Sequence, residues 1–143
     1  MLSHLSSFLP DLVEAFPAID VVYVFGSAVS GGRREGGDVD VAIDVQRRAL
    51  ARDALLDLRI ALWLQDRLGC PVDVVVMNRT SAIMRHEVLR TGVRLYERSP
   101  VRRAEHELHA FKEYLDMRYF QRKREQESKH GERRQGLAPA EQH

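Results

Sequence analysis

The chain has 143 residues, with 22 Lys and Arg against 21 Asp and Glu and a formal charge of +1. That length allows one domain with a real core. The near-neutral balance argues against a dedicated polyanion binder, so no direct nucleic-acid binding is expected. A single cysteine, Cys70, excludes an internal disulfide and a cysteine-rich zinc site. The longest clean apolar runs, residues 21–25 and 60–64, are far too short to cross a membrane. The opening residues carry no Lys or Arg before Asp11 and Glu14, which is unlike a secretory signal. The expectation is a cytoplasmic protein.

Residues 2–16 place Leu5, Phe8, Leu9, Leu12, Val13 and Phe16 at helical spacing, with a break or restart at Pro10. Residues 21–25 are β-branched and aromatic and run directly into Gly26-Ser27, which reads as a buried strand ending in a turn. The glycine-rich stretch 30–37 reads as a loop carrying Arg33 and Arg34. Val39, Val41 and Ile43 then alternate with Asp38, Asp40, Ala42 and Asp44, a period-two strand with one carboxylate-bearing face.

Residues 50–68 carry a helical apolar face stopped by Gly69, and Trp63 reads as core within it. Cys70 reads as packed between that helix and a third strand, residues 72–77. Residues 80–91 read as a helix ended by Gly92, and residues 93–96 as a short fourth strand. Ser99-Pro100 is a good helix start. The last helix has an apolar seam at Val101, Ala104, Leu108, Phe111, Leu115 and Tyr119. Run from Pro100 to about Glu127, it spans roughly 40 Å and projects beyond a compact body. Residues 1–127 read as one domain and residues 128–143 as a polar, disordered tail. Residues 118–134 form a local basic segment, which fits either a soluble helix end or a surface for an acidic partner.

The chemistry concentrates in Gly26-Ser27-Ala28-Val29-Ser30-Gly31 followed by Asp38-Val39-Asp40. Asp38 and Asp40, two apart on a strand, send their carboxylates from one face. Two such carboxylates repel unless a cation lies between them. Mg²⁺ bound to a nucleoside triphosphate suits the role, because Mg²⁺ takes carboxylate and phosphate oxygens together. The turn at Gly26 and Ser27 offers backbone N–H groups and a hydroxyl to phosphate oxygens. A third carboxylate is expected at Asp73, at the head of the third strand. Asp44 stays open as an alternative, on the same face but about 13 Å from Asp40 at ~3.3 Å per residue. His106 and His109 read as surface residues rather than metal ligands, because no third ligand accompanies them. An Asp-x-Asp or a Gly-Ser alone is a commonplace; the set together is what is specific.

That set resembles the signature of the DNA polymerase β-type nucleotidyltransferase superfamily. The layout of residues 10–122, with Phe111, Tyr114 and Asp116 on the last helix, is similar to its minimal MntA-type antitoxins, partners of HepT-type HEPN ribonuclease toxins. Gly37 and Val29 depart from the family pattern, where serine and alanine are common. The resemblance implies an α/β (α+β) fold with a small mixed sheet flanked by helices and a long C-terminal helix. It implies a Mg²⁺-dependent transfer of AMP from ATP to a tyrosine hydroxyl of a HepT-like toxin. In it Asp38, Asp40 and Asp73 are catalytic and metal-binding, and Gly26 and Ser27 bind the nucleotide. Neutralisation by binding and occlusion, or transfer to a small molecule, are the alternatives. With no second domain in 143 residues to bring an acceptor, a partner is expected to supply the hydroxyl.

Overall fold

The computed structural model describes residues 2–30 and 38–142, the side chains of Ser30 and of residues 132–142 excepted. Two short helices, α1 (Leu2–Ser7) and α2 (Leu9–Ala15), are separated at Phe8, with Pro10 in the first turn of α2. The sequence then runs through β1 (Ile19–Phe25), the single turn α3 (Ser27–Ser30), β2 (Val39–Val45), α4 (Arg47–Arg52), α5 (Leu56–Leu68) and β3 (Val72–Val76). A 3-10 turn at Met77–Arg79 leads into α6 (Ala82–Thr91), β4 (Val93–Glu97) and α7 (Pro100–Gln142).

The sheet order is β3-β2-β1-β4. β1 runs antiparallel to both β2 and β4, and β2 runs parallel to β3. This is the small mixed sheet flanked by helices that the sequence led us to expect. Val22, Val24, Val39, Val41 and Ile43 point to one face, where Leu5, Leu9 and Leu12 of α1 and α2 and Leu56, Ile60 and Leu64 of α5 cover them. Trp63 and Cys70 pack at the edge of this cluster. Each fully buried aliphatic side chain here contributes about 1.5–3 kcal/mol of transfer free energy. The opposite face carries Tyr23, Ala42 and Val21, packed with Met77 and Val88. The acidic residues of β2 belong to this second face by parity.

Strand β1 begins two residues earlier than the apolar run suggests. Asp20 sits at a register shift between Ile19 and Val21, a bulge that leaves the ladder locally irregular. The predicted helix over residues 50–68 is two helices. Asp53 closes α4, its Oδ1 accepts from the Leu55 N–H at 3.2 Å, and the Arg79 guanidinium donates to the carbonyls of Leu50, Asp53 and Ala54. That guanidinium satisfies carbonyls a helix end leaves free. α6 starts at a Ser81 cap, whose Oγ accepts from the Met84 N–H at 3.1 Å.

The last helix differs from expectation in two ways. It runs past Glu127 to Gln142, about 64 Å at 1.5 Å per residue, in spite of Gly131, Gly136 and Pro139 in that segment. Its apolar seam also does not face the body. Leu108 is 63% exposed, Phe111 54%, Leu115 46% and Tyr119 60%. Apart from the buried Ala110, the residues that turn inward are polar. Arg103 pairs with Glu97 and Glu107, Glu113 pairs with Arg85 of α6, and Tyr114 stacks on His86 at 3.7 Å between ring centres.

Candidate active site

The site forms where β1 ends and β2 and β3 begin. Antiparallel pairing brings Phe25, the last residue of β1, opposite Asp40. The chain then turns at Gly26, whose φ of +74° is disfavoured for any residue with a Cβ. A Cβ there would also collide with the Asp40 carboxylate. The backbone angle favours glycine, and any Cβ would also force the Asp40 carboxylate to move. Ser27 follows as the first residue of α3, exposed, and the Val29 N–H donates to the Gly26 carbonyl at 3.1 Å.

Parallel pairing of β2 with β3 sets Asp73 as the register partner of Asp40. The Val39 N–H donates to the Pro71 carbonyl at 3.0 Å, tying the two strand starts together. Asp38 lies one residue before β2 and, like Asp73, is exposed, whereas Asp40 is half-buried. The carboxyl of Asp40 is held above the ordinary carboxylate range, first by burial, then by the negative charges of Asp73 and Asp38. The smaller, repulsive part of that shift records Asp73 and Asp38 lying close to Asp40. The structure thus brings Asp38, Asp40 and Asp73 together beside the Gly26-Ser27 turn.

Asp44 lies elsewhere. It is buried, with Oδ1 3.7 Å from His106 Nδ1, and borders a separate cleft of about 1230 Å³ at the far end of β2. Burial is the chief cause that pushes its pKa up to about 6, with Asp20 adding to it and His106 opposing. The open choice between Asp44 and Asp73 as a third member of the cluster resolves on position alone, in favour of Asp73. Arg33, Arg34 and Gly37 lie outside the described residues.

The donor set at the site is all oxygen, which suits Mg²⁺ completing its shell with phosphate oxygens and water. The raised pKa of Asp40, due first to burial and then to Asp73 and Asp38, fits this, since a nearby cation would favour the ionised form against both causes. Among the described residues, no group of three or more His, Cys, Asp or Glu side chains is arranged, as it stands, to hold a metal ion.

Sequence reasoning missed the residues that fix α7 over the acidic face. Asp20, buried at the bulge of β1, accepts from Arg102 at 3.1 Å, lies 3.4 Å from Arg98 Nε and lies 3.0 Å from His106 Nε2. His106 is therefore not a free surface residue, but bridges two buried carboxylates. His109 is the more exposed of the pair and contacts Glu113 at 2.8 Å. The signal was an isolated Asp at the head of an apolar strand, which has no local partner and must find one across the fold.

The Polymerase beta, Nucleotidyltransferase family matches residues 9–101. No curated protein matches the sequence. Among solved structures, the fold is similar to a chain of a toxin–antitoxin complex crystallised with AMP-PNP, at 22% identity and a TM-score of 0.65, over 84% of this chain and 92% of that one. It is similar to a chain of the complex between the tri-AMPylated Shewanella oneidensis HEPN toxin and the MNT antitoxin, at 21% identity and a TM-score of 0.60, over 87% of this chain and 93% of that one. A minimal nucleotidyltransferase aligns at 28% identity and a TM-score of 0.52, over 64% of this chain and 93% of that one. With the family match spanning well over half the sequence and the acidic strands and Gly-Ser turn lying inside it, this chain belongs to the polymerase beta-type nucleotidyltransferases.

Proposed function

We propose that the protein is an antitoxin that transfers AMP from ATP to a tyrosine hydroxyl of a HEPN-type ribonuclease toxin and thereby silences it. The observation that carries the reading is the convergence of Asp38, Asp40 and Asp73 on the Gly26-Ser27 turn. The likeness to chains of toxin–antitoxin complexes, one with AMP-PNP and one with a tri-AMPylated toxin, supports the partner and the transferred group.

In this reading the Ser27 hydroxyl and the backbone at Gly26 hold the outer phosphates. Asp38 and Asp40 hold Mg²⁺, with Asp73 completing the set. When bound, Mg²⁺ supplies positive charge that offsets the triphosphate and favours the deprotonated acceptor. A tyrosine hydroxyl, with a pKa near 10, needs that help at neutral pH. In this reading Asp73, exposed on the edge strand β3, takes the acceptor's proton. The phenolic oxygen bonds to the α-phosphorus, the bond to the bridging oxygen breaks, and pyrophosphate departs in line toward Ser27.

Purified protein with ATP, Mg²⁺ and the toxin should add the mass of one AMP per modified tyrosine. The Asp38→Asn, Asp40→Asn double variant should add none. Wild-type protein that adds nothing, or a double variant that adds as much, overturns the reading.

The outward apolar stripe of α7 favours a second reading, in which occlusion does most of the neutralising. There the double Asp variant protects cells as well as wild type, while Leu115→Glu with Tyr119→Glu does not.

A further inference from the structure

Asp73 is exposed, so the place of its carboxylate depends on where β3 begins. β3 is an edge strand, paired with β2 on one side alone. A slip of one residue against β2 would turn Asp73 to the opposite face and put a valine opposite Asp40. The turn that leads into the strand, residues 69–71, offers few backbone donors to resist this, because Pro71 has no N–H.

One peptide group holds the head of the strand. The Pro71 carbonyl accepts from the Val39 N–H at 3.0 Å, which fixes it on the β2 side. In a trans peptide the following N–H points the opposite way, so the Val72 N–H faces away from β2. There it donates to Gln65 Oε1 of α5 at 3.1 Å. Val72 is buried, and a buried N–H left without a partner is unfavourable. The peptide is thus gripped from both sides, by β2 and by α5. Gln65 is itself well anchored, because its own carbonyl accepts from the Gly69 N–H at 2.9 Å where α5 ends.

Val39 lies between Asp38 and Asp40, and Val72 directly precedes Asp73. The line of hydrogen bonds from Val39 through the Pro71–Val72 peptide to Gln65 therefore passes within one residue of all three acids. We propose that Gln65 is a positioning residue for the acidic cluster. Its amide oxygen fixes the register of β3 at the point where Asp73 meets Asp40, and so sets the spacing of the carboxylates that would share a divalent cation. It acts through Asp73 and not on the nucleotide. The inference rests on the nucleotidyl-transfer reading and adds to it the residue that aligns the third acid.

Gln65→Met keeps the length of the side chain and removes the acceptor, whereas Gln65→Glu keeps an oxygen in place. Full-length proteins are titrated with Mn²⁺ alone, followed by electron paramagnetic resonance, and amide exchange is read at Val72. Gln65→Met should expose the Val72 amide to exchange and weaken Mn²⁺ by about tenfold or more, the scale of losing a group that orients a metal ligand. Its kcat for AMP transfer should fall by about ten- to a hundredfold, with little change in KM for ATP. Gln65→Glu should restore all three. In an Asp73→Asn background, Gln65→Met should cost no further Mn²⁺ affinity, because its effect runs through Asp73. Asn78→Ala, which removes two hydrogen bonds at the far end of β2, should melt lower yet keep both Mn²⁺ affinity and kcat. Gln65→Met with unchanged Mn²⁺ affinity and kcat, or a loss that simply adds to that of Asp73→Asn, overturns this inference alone. Mn²⁺ that binds regardless of Asp38 and Asp40 overturns the transfer reading and this inference with it. Wild type that binds Mn²⁺ through those acids but transfers no AMP overturns the transfer reading, and the Mn²⁺ and exchange results then decide the role of Gln65 by themselves.

Discussion

Asp44 is the most informative single substitution, because it separates a buried structural acid from the proposed metal ligand Asp40 on the same strand face. The residue is 5% exposed. Burial chiefly raises its pKa from 3.8 to about 6. The fold therefore prefers the protonated form, while the unfolded chain ionises at the ordinary value. Stability owed to this group is complete below pH 3.8, erodes as the pH rises, and is gone above about 6. The gap between 3.8 and about 6, at ~1.36 kcal/mol per pH unit, amounts to roughly 3 kcal/mol.

Asp44→Asn substitutes a neutral side chain of the same shape. Urea unfolding followed from below pH 3.8 to neutrality should show the wild type losing stability across that window relative to the variant. Near neutral pH the variant should be more stable by up to roughly 3 kcal/mol. Parallel stability curves for the two proteins would refute the argument. The same variant should keep AMP transfer, whereas Asp73→Asn should lose it by about a hundredfold or more, the scale of losing an electrostatic stabiliser of the transition state. A well-folded but inactive Asp44→Asn would return Asp44 to the reaction centre.

Gly26→Ala should abolish transfer and cost about 1–2 kcal/mol from the left-handed backbone alone, before the collision with Asp40 is counted. Thermal melting and the transfer assay check the two parts separately. Asn78→Ala should destabilise by about 2 kcal/mol, because the Asn78 amide both accepts from the Val45 N–H and donates to the Val45 carbonyl, each at 3.0 Å. Chemical denaturation reads it, and an unchanged midpoint would mean that water replaces both bonds at no cost.

The proposed reaction centre was legible as a cluster because its information is local. Strand parity put Asp38 and Asp40 on one face, and the Gly-Ser turn sits one strand earlier, where antiparallel pairing brings it back to Asp40. What sequence reading could not supply was the partner of each isolated polar group. Asp20 looked like an interruption of an apolar strand, and its meaning lies in Arg98, Arg102 and His106, all distant in sequence. The break between α4 and α5 likewise depends on Arg79, which reaches back from the 3-10 turn after β3. The helical periodicity of residues 50–68 carries no trace of that contact, because periodicity counts hydrophobicity and not hydrogen bonds across the fold.

The two faces of α7 make the last case. Periodicity located its apolar seam correctly, and only the structure shows that the seam faces outward. The helix is held to the body by charge instead. Arg102 and His106 reach Asp20, Arg103 reaches Glu97, and Glu113 reaches Arg85. Most of these pairs are partly exposed, where each contributes about 1 kcal/mol or less and weakens with salt. An apolar stripe left in water gains far more from being covered, about 1.5–3 kcal/mol per large side chain buried. The docking of α7 should therefore loosen in high salt in the free protein and become salt-insensitive once a partner covers the stripe. Hydrogen exchange of α7 backbone amides between Arg102 and Tyr119, measured at low and high salt with and without the toxin, reads both halves. Protection that ignores salt in the free protein would show that the helix is held by packing rather than by charge. Protection unchanged by the toxin would show that the stripe is not where the partner binds.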